Sequence, residues 1–209
     1  MSILTLQIDK HLFIWLFLSF IGATVVGTLS HEVGHYVVAE SLGYDAQIHY
    51  GAMGVVQSPV DSRPSDGFWI SLGGPLQTML TGSIGLLLIF LYRERFRGAE
   101  SLSVWQWLMV FIALFWLRQT ANLTTWIGEY VWRGSWSGRG DEIRLAKDLG
   151  IPEWTILSFT GLIALSVLAL VIFKVIPVKQ RWTFILAGLF GGITGYILWL
   201  QMLGRIVLP

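Results

Sequence analysis

The chain has 209 residues, 54% of them hydrophobic and 13% charged, with a mean hydropathy of +0.64. A water-soluble domain usually carries about 25% charged residues, so lipid is the expected solvent for much of this surface. The net charge of +1 makes no case for a nucleic-acid partner, and the absence of cysteine excludes disulfides and thiolate metal sites. The 11 Trp and 23 Gly suit a membrane bundle, aromatic at its interfaces and glycine-rich where helices approach closely.

A bilayer core takes about 20 apolar residues of helix. Residues 12–29 are uncharged, and the helical pattern runs on through HEVGHYVVAESL to about position 42, with Gly43 as a stop. Such a helix is too long for the hydrocarbon core alone, which places HEVGH near one membrane face or in a protein-lined cavity. A removable signal peptide over residues 1–30 is the weaker expectation, because no small-x-small site interrupts the continuing helix. Residues 46–57 change character. β-Branched and aromatic residues broken by Gly51 and Gly54 suggest a short strand or hairpin, and Pro59, Asp61, Pro64 and Asp66-Gly67 then mark turns. A second span is expected over 68–92, with Gly73-Gly74-Pro75 near its start. A third is expected over 102–127, passing Arg118 and Asn122. The longest polar stretch, 128–153, precedes spans expected over 154–173 and 182–204. The expected fold is an all-α polytopic membrane protein in one domain, 1–209, a bundle of about five transmembrane helices with a strand or hairpin after the first. In the last span Gly188, Gly191, Gly192 and Gly195 repeat small-xxx-small spacing, which suits close helix packing, within the chain or between copies in a homo-oligomer.

The strongest chemical signal is His31-Glu32-Val33-Gly34-His35. Residues i and i+4 share one helix face, so two imidazoles there can hold one Zn²⁺ while the adjacent Glu reaches a water as general base. Ionisable side chains at membrane depth are costly and usually mark function. A catalytic zinc needs a third protein ligand and an open position. Spacing leaves five candidates: Glu129, Asp141, Glu142, Asp148 and, further off, Glu40. Asp141 follows the glycine-rich SGRG run and would stand at a helix N-terminus, where it could also be a simple cap.

HEVGH on a long first helix, a strand-like segment, a second span opening on Gly-Gly-Pro and a late Asp motif together resemble the site-2 protease family. That resemblance rests on short motifs across residues 31–152 and implies a zinc metalloprotease cleaving in or beside membrane spans of other proteins. It implies His31, His35 and Asp141 as zinc ligands and Glu32 as the catalytic base. Residues 141–152, DEIRLAKDLGIP, are similar to the run that follows the ligand Asp in smaller family members. Two positions depart from the pattern: Glu142 stands where Gly follows the Asp, and Thr78 where an Asn often lies three residues after the Pro. Gln77 or Asn122 are candidates for that Asn's hydrogen-bonding role. The resemblance also implies that segment 46–57 holds substrate extended, by strand pairing. His49 reads as a surface histidine or, less simply, as a support for the metal site. The implied partners are the lipid bilayer and a membrane protein substrate, and the short loops suit a prokaryotic cell membrane.

A non-enzymatic membrane protein with a retained zinc site is the rival reading, against which Glu32 speaks because a structural site needs no base. A second class of membrane metalloprotease normally uses Glu as third ligand and a larger soluble domain. A transporter finds slight support in Arg118, without the paired broken helices such folds use.

Overall fold

A computed structural model describes residues 8–209. Helix α1, Lys10–Ser41, starts where the Asp9 side chain accepts from the Leu12 amide at 3.0 Å. It ends before Gly43, whose φ of +85° turns the chain back as only glycine does cheaply. Strands β1, Asp45–Ile48, and β2, Met53–Gln57, pair antiparallel with Ile48 opposite Met53. The strand-like segment is thus a hairpin. Helix α2, Asp66–Leu91, is followed by the single turn α3, Arg93–Phe96. Next come α4, Val104–Ala113, a 3₁₀ turn, Leu114–Trp116, and α5, Leu117–Arg133. Helix α6, Asp141–Asp148, precedes α7, Trp154–Leu170, which continues as a π turn over Val171–Val175. Helix α8, Val178–Tyr196, runs through a second π segment, Ile197–Leu203, into α9, Gly204–Val207.

Among the described residues, four helical stretches are long and apolar enough to cross a membrane: Lys10–Ser41, Asp66–Leu91, Trp154–Val175 and Val178–Val207. Their outward positions carry exposed Leu, Ile, Val and Phe, for example Leu18, Ile84, Phe159 and Ile193. Burial on the inner side comes from small residues and aromatics. A helix apolar on every side is one that meets lipid or protein all round.

The expected third span is not one apolar helix. Helix α4 is apolar but has ten residues, about 15 Å, half a bilayer core. Beyond the 3₁₀ turn, α5 carries Arg118, Gln119, Asn122 and Glu129, and it reaches Arg133 instead of ending near position 127. With the 3₁₀ turn between them, neither α4 with 10 residues nor α5 with 17 is by itself long enough to cross a membrane.

Glycine decides how the helices meet. A Cβ on Gly34 would stand 2.5 Å from Gly73 O, and one on Gly73 2.4 Å from Gly34 O, so α1 and α2 cross backbone to backbone. Gly191 and Gly195 meet the α1 backbone at Phe17 and Ile21 in the same way, and Gly188 meets the Phe20 ring. The glycine stripe of the last span is therefore used inside the chain, against α1, while Gly192 faces open space. The main apolar core, around Leu16, Phe20, Trp107, Val110, Ile176 and Phe184, lies at the early end of α1. His31 is eleven residues beyond Phe20 on that helix, roughly 17 Å along its axis. The large side chains pack one end of the bundle, and the polar cluster occupies the other.

Candidate metal centre

Helix α1 brings His31, Glu32 and His35 to its inner side, all buried. The two imidazoles lie edge to face, with their Nε2 atoms 3.1 Å apart. Asp141, the first residue of α6, adds Oδ2 at 3.0 Å from His31 Nε2 and 3.3 Å from His35 Nε2. Three protein atoms at 2.0–2.2 Å from a tetrahedral zinc stand about 3.3 Å from one another, so the spacing fits that ion. His31, His35 and Asp141 are the one such metal-ligand group among the described residues.

Proton accounting strengthens the fit. His35 Nδ1 lies 2.6 Å from the Ile70 carbonyl, a pure acceptor, so Nδ1 carries the hydrogen. The Gly74 amide also approaches this nitrogen, but at the longer 3.3 Å. The Thr78 hydroxyl donates to Gly74 O at 3.0 Å and therefore accepts from His31 Nδ1 at 2.9 Å. Both neutral rings then present a bare Nε2. Burial alone would raise the Asp141 carboxyl, yet the two histidines beside it hold it well below the usual carboxylate range, so it too is an unprotonated acceptor. Three acceptors converge with no hydrogen among them. A cation satisfies them; without one, an extra proton on a histidine has to take its place.

Helix α2 supplies the backing. Ile70, Gly74 and Thr78 recur every four residues and so share one face. A Cβ on Gly74 would lie 2.3 Å from His35 Nε2 and 2.6 Å from His31 Nε2. Only a bare backbone can pass this close to the ligand nitrogens. In the sequence, Gly73-Gly74-Pro75 opens the second span and Thr78 departs from the family pattern. The Gly-Gly run followed four residues later by a hydroxyl was the signal for both.

Several features place Asp141. Gly140 has φ +118°, which turns the chain sharply into α6. Trp136 lies flat on Trp126 and Tyr130 at 3.9 and 4.0 Å between ring centres, and Trp126 Nε1 donates to Ser137 O at 3.1 Å. The glycine-rich loop 134–140 is thereby held on α5. Glu142 is buried against Asn122 of α5, with burial pushing its carboxyl up, and Arg144 reaches Ser71 of α2. Asn122 thus makes an interhelical hydrogen bond, and among the described residues neither it nor Gln77 is hydrogen-bonded to a metal ligand. Glu142 is not part of the ligand group, and Glu40 accepts from the Ala46 amide. Asp148, in the last turn of α6, and Glu129, far along α5, are not part of the group. His49 is not a support for the metal site, since its Nδ1 is engaged with Pro209 O at the hairpin tip.

Searches against known families, curated proteins and solved structures find no match. What the site can do follows from its own chemistry. Two residues complete it. Glu32 is 4% exposed and lies near Met53 at the start of β2. Arg118 of α5 places Nη2 3.8 Å from Glu32 Oε1. The ligands differ in access: the Asp141 side chain is 26% exposed, that of His31 1%. Solvent reaches the cluster from the Asp141 side.

Proposed function

We propose that this chain is a multi-pass membrane zinc metalloendopeptidase, of the site-2 protease kind, that hydrolyses peptide bonds in or next to membrane-spanning segments of protein substrates. The prokaryotic cell membrane is the proposed setting. The observation that carries the reading is the set of three converging, hydrogen-free acceptors with a carboxylate, Glu32, beside them and tied to neither histidine. A purely structural zinc site has no use for that fourth group.

His31, His35 and Asp141 would hold the ion. Zinc, when bound, polarises a carbonyl and makes a nearby water acidic enough to react near neutral pH. Glu32 takes the proton from the attacking water and later delivers it to the leaving amine nitrogen. A scissile bond must be presented extended, because a helical substrate hides its carbonyls in its own hydrogen bonds. The outer edge of β2 pairs with no other strand among the described residues and starts at Met53, beside Glu32, which suits strand addition by an unwound substrate.

The test pairs metal content with cleavage in detergent-purified protein. Wild type and Glu32→Gln should each hold about one zinc per chain, as expected for a single three-ligand site. His35→Ala and Asp141→Ala should hold little. Labelled casein, an unfolded chain that offers extended backbone, should be cut by the wild type and left intact by Glu32→Gln. Cleavage retained in Glu32→Gln would refute the enzyme assignment. Zinc binding without any cleavage by the wild type would favour a non-proteolytic protein with a metal site.

A further inference from the structure

Arg118 is a half-buried charge beside Glu32 that holding the metal does not require. It stands in the first turn of α5, directly after the 3₁₀ turn. Its Nη2 is 3.8 Å from Glu32 Oε1, close enough for an ion pair and too long for a direct hydrogen bond. Its Nε is buried and has no hydrogen-bond partner among the described residues. A guanidinium offers five N–H donors in a fixed fork, and a carboxylate it merely neutralised would normally be held at about 2.7–2.9 Å by two of them. Here the fork is drawn back from Glu32 with a donor to spare. Asn122, one turn further on, finds its partner in Glu142, whereas the side chains of Gln119 and Thr120, next to Arg118, are like it in having buried polar atoms without partners among the described residues. A substrate oxygen arriving beside Glu32 would therefore find an unused N–H donor on Arg118.

We infer that Arg118 is a catalytic residue that receives the carbonyl oxygen of the scissile peptide as that oxygen becomes negative. This rests on the metalloprotease reading. When the water oxygen bonds to the carbonyl carbon, the carbonyl π pair moves onto its oxygen, and Glu32 accepts the water proton. The Arg118 N–H groups meet the new charge in a partly dehydrated site, where a fixed donor is worth most. As the pair returns to form the C=O bond, the C–N bond breaks and the nitrogen leaves with the proton from Glu32. Water and the peptide are the only reactants. The same fork would hold a ground-state carbonyl less tightly, so its effect falls mainly on kcat.

The experiment compares wild type with Arg118→Ala, Arg118→Gln and Arg118→Lys, each zinc-loaded. Zinc content should be unchanged in all four. In Arg118→Ala, kcat on labelled casein should fall about 100-fold with KM nearly constant. A phosphinic peptide, whose tetrahedral anion mimics the charged oxygen, should bind the Ala and Gln variants about 100-fold more weakly, read calorimetrically without turnover. Millimolar guanidinium should restore part of the Arg118→Ala rate, and Arg118→Lys should fall between the extremes. Unchanged phosphinate affinity at full zinc content would overturn the role. So would a change confined to KM, or zinc loss in all three variants, which would make Arg118 a support of the metal site. If the wild type itself cuts nothing while binding zinc, the metalloprotease reading fails, a result distinct from a wild type that cuts as well as its Arg118 variants.

Discussion

A single methyl at position 74 tests the metal centre most sharply. The Cβ of Gly74→Ala would stand 2.3 Å from His35 Nε2, inside any van der Waals distance, and α2 is pinned by the Gly34–Gly73 contact one residue away. The variant should fold by circular dichroism and hold no stoichiometric zinc. Thr78→Val is subtler. It keeps the shape and removes the acceptor that sets the His31 tautomer, so zinc affinity measured by chelator competition should fall about 10–100-fold. At this scale His31, Glu32 and His35 were legible because an i, i+4 pair is a local geometry. Asp141 was one of five acids on spacing alone, because 106 positions separate it from His35 and nothing in that interval states a distance. Its selection rested on a resemblance, and the fold brings it to within 3.3 Å of both rings.

At the scale of elements, the third ligand depends on a loop held by aromatic stacking. Two ring stacks on Trp136 contribute about 1–3 kcal/mol together, most of what orders residues 134–140 before α6 begins. Trp136→Ala should therefore weaken zinc binding about tenfold and open the loop to added protease, with the helix content unchanged. The α1–α8 contact has its own test. A side chain at Gly191 would meet Phe17 O and the Phe20 Cβ, so Gly191→Leu should lower the thermal midpoint, whereas Gly192→Leu should not. The four long helices and the hairpin were readable as runs of one character. The expected third span, 102–127, covers α4 and much of α5, and what the sequence did not announce is the break at Leu114–Trp116 between an apolar ten-residue half and a polar half.

For the whole molecule, the response to acid follows from the charge states that the ligands need. Metal binding requires both imidazoles neutral and Asp141 ionised. Asp141 is held below its ordinary value, so its contribution is complete above the unfolded carboxylate pKa of about 3.9 and is lost only as pH falls further. Histidines ordinarily take up protons near pH 6.5, well before that point. Zinc should therefore leave progressively as pH drops from about 6.5 toward 4, with full rebinding on neutralisation, followed by metal analysis after gel filtration. If the four apolar stretches are inserted, the protein should stay with the membrane pellet through alkaline carbonate extraction.

Sequence by itself determined the apolar helices, the hairpin and the two-histidine pair, because composition and short-range periodicity report directly on the solvent and on the face of a helix. Only the tertiary structure decided which acid joins the histidines, why Gly74 must lack a side chain, and that Arg118 stands over Glu32. Those relations join α1, α2, α5 and α6 through contacts between residues far apart in the chain. Close packing sets such distances, and no local pattern encodes them.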